Sequence, residues 1–221
     1  MPRAMIVKGK SLTANIFETV RDRIVYGVYP PGASLPEKEL CREFGVSRTP
    51  LREAWLKLQD MKLVTVIPRF GTQVSPIDIN EIRCAFEVKT RLEGLAGEMA
   101  AERIQPDLLE ELEGVIAEGG KLAREASSDR HDRLIEIEKG FHRVIWEAAQ
   151  NAVLKEFLDN LHYRCARLWS AALSEVVPNR DILDQMTGVY QALKQRDGQE
   201  ARRRMENHVQ YFVKKIKSRL L

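Results

Sequence analysis

Between residues 63 and 74 the chain reads as two short extended runs, Leu63-Val64-Thr65-Val66-Ile67 and Thr72-Gln73-Val74. They flank the break Pro68-Arg69-Phe70-Gly71, a β-hairpin signature. No strand pattern follows it, so helices must supply most of the buried surface and the expected fold class is mainly α.

Three helices are expected before the hairpin. Residues 11–27 carry Leu12, Ile16, Val20 and Ile24 at helical spacing, with Ser11 as a cap and Gly27 at the end. Tyr29-Pro30-Pro31-Gly32 then breaks the chain. A short helix runs from Glu37 to Phe44, with Pro36 near its first turn and Gly45 closing it. Ser47 can cap a third helix through Asp60, which lines up Leu51, Ala54, Trp55 and Leu58. Three helices followed by a hairpin is the layout of a winged helix-turn-helix, expected over residues 1–75.

A short linker is expected at 76–79, and a second domain at 80–221. Helical segments are read near 79–103, 106–126, 131–149, 151–174, 179–196 and 198–219. Pro106, Ser127-Ser128-Asp129, Asn151, Pro178 and Asp197-Gly198 punctuate them. Such lengths and short connections predict an antiparallel all-α bundle. No stretch approaches the length of an apolar membrane span, and the first ten residues lack the apolar core of a signal peptide. Cys41, Cys84 and Cys165 match no metal or redox spacing, which fits reduced thiols in a cytoplasmic protein.

Charge separates the two parts. Up to Ser75 there are 12 Lys and Arg against 7 Asp and Glu; after it, 23 against 25. A basic front suits a polyanion-binding module. Its densest signal is Gly45-Val46-Ser47-Arg48-Thr49-Pro50-Leu51-Arg52-Glu53-Ala54. Ser47 at the start of the third helix brings backbone N–H groups towards a phosphate. Arg48, Thr49 and Arg52 project from the first turns, where a recognition helix meets base edges. Arginine matches guanine O6 and N7. The helix dipole favours acids there, so two arginines are misplaced unless a polyanion binds.

The stretch Ser11–Val74 resembles the GntR family of bacterial regulators. The resemblance is carried by Gly27, Pro31-Gly32, Leu35, Glu39-Leu40, the run Val46 to Ala54, Leu58 and Pro68 to Val74. It implies that Lys38, Arg48, Thr49 and Arg52 contact DNA and that Arg69 to Gly71 form a wing tip over the minor groove. Lys62 stands where the family commonly has glycine. The later part is similar to the family's FadR-type helical domain, through Leu92-Glu93, Ala96, Ala100-Ala101, Phe141-His142, Asn151, Ala192-Leu193, Asp197, Ala201 and His208.

That resemblance implies a divalent metal such as zinc or nickel, held by Glu138, His142 and His208. Met186 falls where a fourth ligand usually stands, and a thioether is a poor partner for such an ion. Three N/O ligands and water can still hold zinc. Alternatively His142 and His208 are core histidines satisfied by Glu138 and its neighbours. Lys89 takes the place of an arginine that often faces the effector, giving up bidentate carboxylate recognition. Arg164, on a partly apolar helix face, meets an acidic effector, pairs with an intramolecular glutamate, or holds a solvated edge position. His162, Tyr163 and Trp169 read as packing residues.

The function expected is that of a ligand-responsive repressor. It would bind palindromic operator DNA as a homodimer, with a small carboxylic-acid or sugar-acid effector in the helical domain. Two other classes stand beside it: a metal-dependent enzyme using Glu138, His142 and His208, and an architectural DNA binder without an effector.

Overall fold

The computed structural model describes residues 11–125, 130–173 and 180–220. Ser127-Ser128-Asp129, Pro178, the first ten residues and the side chain of Trp169 lie outside the described residues. Two units are distinguished, one comprising the residues up to Ile82 with Tyr163–Ser170, the other Arg83–His162 with Ala171–Leu221.

In the first unit, α1 spans Leu12–Val25, and its start is closed by the Ala14 amide donating to Ser11 Oγ at 3.1 Å. Ile16, Val20 and Ile24 are buried, as their spacing predicts, whereas Leu12 in the first turn is exposed. Helix α2, Glu37–Phe44, begins immediately after Pro36 and ends at Gly45, whose φ of 67° is the left-handed turn that sets up the next helix. Helix α3 spans Arg48–Asp60 and buries Leu51, Ala54, Trp55 and Leu58 against α1 and α2. Burial of a leucine side chain such as Leu51 or Leu58 stabilises by about 1.5–3 kcal/mol. Ser47 holds the cap position, yet its hydroxyl makes no cap hydrogen bond, so the expected side-chain cap is not formed.

The hairpin comprises β2, Val64–Ile67, and β3, Gly71–Val74, paired antiparallel with Val66 opposite Thr72. A further strand, β1 at Ser34–Leu35, pairs with the other edge of β3, giving the order β1-β3-β2. Two residues are too few to show a strand period, so β1 was not expected. Arg167, buried in the same unit, donates to the carbonyls of Lys62, at 3.1 Å, and Ser75, which flank the hairpin.

Helix α4 spans Ile79–Arg103, and the carboxylate of Asp78 accepts the amides of Asn80 and Glu81 at its start. There follow α5 (Pro106–Leu122), α6 (Arg130–Ala148), α7 (Ala152–Leu173), α8 (Arg180–Lys194) and α9 (Gly198–Leu220). In the second unit α5 packs on α6 and α8, and α8 on α9. Leu112, Leu122, Phe141, Ile145, Leu158 and Ile182 are fully buried. Gly97 lets α4 approach α9 closely: a Cβ there would stand 2.8 Å from Met205 Cγ and 3.0 Å from the Ala201 carbonyl oxygen. This approach positions the site, because α4 and α9 carry two of its groups. Among the described residues no helix is long and apolar enough to cross a membrane.

Candidate nucleic-acid interface and candidate metal centre

In the first unit, Ser47, Arg48, Thr49 and Arg52 are exposed at the start of α3, and Lys38 is exposed on α2. The first turn of α3 contains no acidic residue. Its leading amides, without a capping hydroxyl, remain available to an anionic oxygen. Arg52 is not loose: its Nε and Nη2 donate to both carboxylate oxygens of Glu37 at 3.0 and 3.1 Å. This bidentate bond spans α2 and α3 and holds the guanidinium in one orientation while its side chain stays 61% exposed.

At the hairpin turn Arg69 and Gly71 are exposed with φ of 69° and 106°. Both lie in the left-handed region that a tight turn demands. Phe70 between them is 88% exposed. The sequence placed Phe70 in the wing tip, between Arg69 and Gly71, but gave no sign that its ring stands this exposed.

In the second unit, Glu138 and His142 on α6 and His208 on α9 are all buried, with ligand atoms within 4.8 Å of one another. Glu138 Oε2 lies 3.2 Å from His208 Nε2 and 3.8 Å from His142 Nε2. Ligands in a tetrahedral zinc site, bound at about 2.0–2.2 Å, stand roughly 3.4 Å from one another. The two edges from Glu138 lie close to that spacing. Glu138 Oε1 and His208 Nδ1 are buried without a hydrogen-bond partner among the described residues, so a donor atom remains to be satisfied. Met186 is fully buried on α8. The donor set fits a divalent metal with three protein ligands.

Behind the triangle lies a charged layer that sequence reasoning only half read. Lys89 on α4 is buried and forms an ion pair with Glu93, one helical turn on. Glu93, with no exposed surface, also accepts a hydrogen bond from Trp146 Nε1 at 2.8 Å. Its Oε1 lies 2.9 Å from His142 Nδ1, off the N–H axis, which makes a close electrostatic contact rather than an aligned hydrogen bond. Burial opposes the charge on Glu93, but His142 and Lys89 outweigh it and hold the carboxyl far below the usual range. Glu138 is likewise lowered: His208 and His142 overcome the burial. Burial, only partly offset by Glu93, lowers the pKa of His142, so its ring is neutral at pH 7.

Aromatic rings enclose the cluster. His208 stacks edge-on with Phe141 and Phe212 at 5.3 and 5.1 Å between centroids. His162 on α7 sits 5.6 Å from both His142 and Trp146. Arg164 pairs with Glu81 within the first unit. Within the second unit the structure thus brings Lys89, Glu138, His142 and His208 together and adds Glu93 and His162. Lys89 and Glu93 at i,i+4 were legible as a helix pair; the Glu93–Trp146 bond links residues far apart in sequence and was not.

Comparison with known proteins agrees with both halves. Residues 12–74 match the model described as "Bacterial regulatory proteins, gntR family", and residues 84–211 match the FCD domain. The HTH-type transcriptional repressor RspR of Escherichia coli (strain K12) is 27% identical over 202 residues, covering 91% of this chain and 87% of that protein. A probable D-xylose utilization operon transcriptional repressor of Paenarthrobacter nicotinovorans is 28% identical over 220 residues, 95% of this chain and 92% of its own. The solved structure of E. coli McbR/YncC superposes with a TM-score of 0.85 at 22% identity, over 96% of this chain and 100% of that one, and shows the same fold. These relatives are transcription regulators, and the chain is not an enzyme. The chain belongs to the gntR family of bacterial regulatory proteins, with a DNA-binding helix-turn-helix and wing followed by an FCD domain.

Proposed function

We propose that the chain is a ligand-responsive repressor that binds a two-fold-symmetric operator in the cytoplasm as a homodimer. The reading is carried by one observation: Arg48, Thr49 and the pre-oriented Arg52 stand exposed at a helix start whose amides lack a capping side chain. Arg48 and Arg52 read base edges, Ser47 and the leading amides of α3 hold a phosphate, Lys38 adds positive charge, and Arg69 and Gly71 carry the wing to the minor groove. Symmetric DNA calls for two reading heads, hence two copies. The names of the RspR and D-xylose relatives support repression.

Glu138, His142 and His208 hold a zinc- or nickel-type ion, and the effector is a small carboxylic or sugar acid. When bound, the ion supplies a positive point at which a carboxylate can dock. Lys89 stands behind the ligands, held in its ion pair with Glu93. Arg164, paired with Glu81, takes no part in the site around the ion.

Selection from a pool of randomised duplexes at fixed salt tests the reading. The wild-type chain is expected to enrich an inverted repeat. Arg48→Ala should weaken binding by about 1–3 kcal/mol per copy and relax base preference at one position in each half-site. A pool that stays unenriched overturns operator recognition and favours an architectural DNA binder.

A further inference from the structure

We propose that Glu93 is a positioning residue of the metal centre: it selects the tautomer of His142 and holds that ring with Nε2 turned towards Glu138 and His208. The inference rests on Glu138, His142 and His208 being the ligands.

A neutral imidazole has one N–H and one lone pair, and only the nitrogen with the lone pair can bind a metal. His142 Nδ1 lies 2.9 Å from Glu93 Oε1, while Nε2 lies 3.8 Å from Glu138 Oε2. A lone pair on Nδ1 would set negative charge close to a carboxylate oxygen, off axis but near enough to be repelled. A proton on Nδ1 is attracted instead. The carboxylate therefore favours the Nδ1–H tautomer and leaves the lone pair on Nε2, the atom that belongs to the ligand triangle. Ligating histidines generally have such an outer carboxylate, which sets both ring orientation and basicity.

Glu93 is itself held at both oxygens. Oε1 faces the Lys89 ammonium, and Oε2 accepts the Trp146 indole N–H at 2.8 Å. All three groups are buried. The Lys89–Glu93 pair is neutral as a unit, so it can orient His142 without adding net charge beside the ion. This gives the buried lysine a role in fixing Glu93.

Removing Glu93 alone would strand a buried ammonium, so the variant to make is the double one, Lys89→Met with Glu93→Gln. It conserves net charge, and an altered affinity then reports positioning rather than charge. Cobalt(II) is the probe, added to the metal-free full-length chain and competed with a chelator, with the visible spectrum recorded. The double variant is expected to bind cobalt about ten- to a hundredfold more weakly, with shifted absorption bands. His142→Ala should lose the bands. Wild-type affinity and an unshifted spectrum in the double variant overturn the role of Glu93. A wild-type chain that takes up no cobalt overturns the metal reading itself, which is a separate result. Nitrogen-15 NMR of the metal-free wild-type chain needs no variant: His142 should carry its proton on Nδ1, and a proton on Nε2 overturns the inference.

Discussion

Lys62 has φ of 57°, a conformation that costs a residue with a Cβ about 1–2 kcal/mol. It stands where the helix α3 gives way to the hairpin, and its carbonyl is held by Arg167. Glycine would keep that carbonyl and remove the steric cost, against a smaller loss from greater freedom in the unfolded chain. Lys62→Gly is expected to raise stability by about 0.5–1 kcal/mol, read as a higher urea midpoint with unchanged slope. A lowered midpoint would show that the lysine side chain contributes more than its backbone strain removes. The sequence signalled this position only as a departure from the family's usual glycine; the reason lies in a backbone angle. Legibility at the residue scale follows the same division elsewhere. Glu138 and His142 share a helix turn and could be paired from spacing, whereas Glu93 meets Trp146 and His142 only after α4 and α6 have packed. Likewise the bidentate Arg52–Glu37 bond joins two helices, so spacing along one helix could not reveal it.

Helical elements were legible because each buries a face at regular spacing, as Leu51, Ala54, Trp55 and Leu58 do in α3. What periodicity does not carry is how closely two helices approach. Gly97 decides that for α4 and α9, because a Cβ would meet Met205 Cγ at 2.8 Å and the Ala201 carbonyl oxygen at 3.0 Å. A side chain can move, but the α9 backbone cannot yield without shifting His208. Gly97→Ala is therefore expected to destabilise by about 1–3 kcal/mol despite alanine's better helix propensity. In α5, Gly114 has open space where its Cβ would be. Gly114→Ala should gain about 0.5–1 kcal/mol from propensity alone. Chemical denaturation of the two variants side by side checks the contrast. If both alanines stabilise, close approach of α4 to α9 is not what the glycine provides.

At the scale of the whole molecule, DNA reading and the buried cluster lie in different units, and any influence of one on the other is a coupling free energy. Such coupling is reciprocal: if metal changes operator affinity by some factor, operator must change metal affinity by the same factor. This holds whatever structural change transmits it, and it requires only that the ion bind the DNA-competent and incompetent states unequally. The buried position of Glu138, His142 and His208 favours inequality, since an ion tying α6 to α9 resists any state in which those helices separate. Operator dissociation constants for chelated and zinc-loaded chain should accordingly differ by about 5- to 150-fold. Zinc affinity, measured by chelator competition with and without saturating operator duplex, should change by an equal factor. Melting temperature gives the control, because an ion that binds only the folded chain raises it whether or not it regulates. A zinc-dependent rise in melting temperature with identical operator affinity in both forms would make the ion a structural brace, and regulation would then have to come from the proposed organic-acid effector alone.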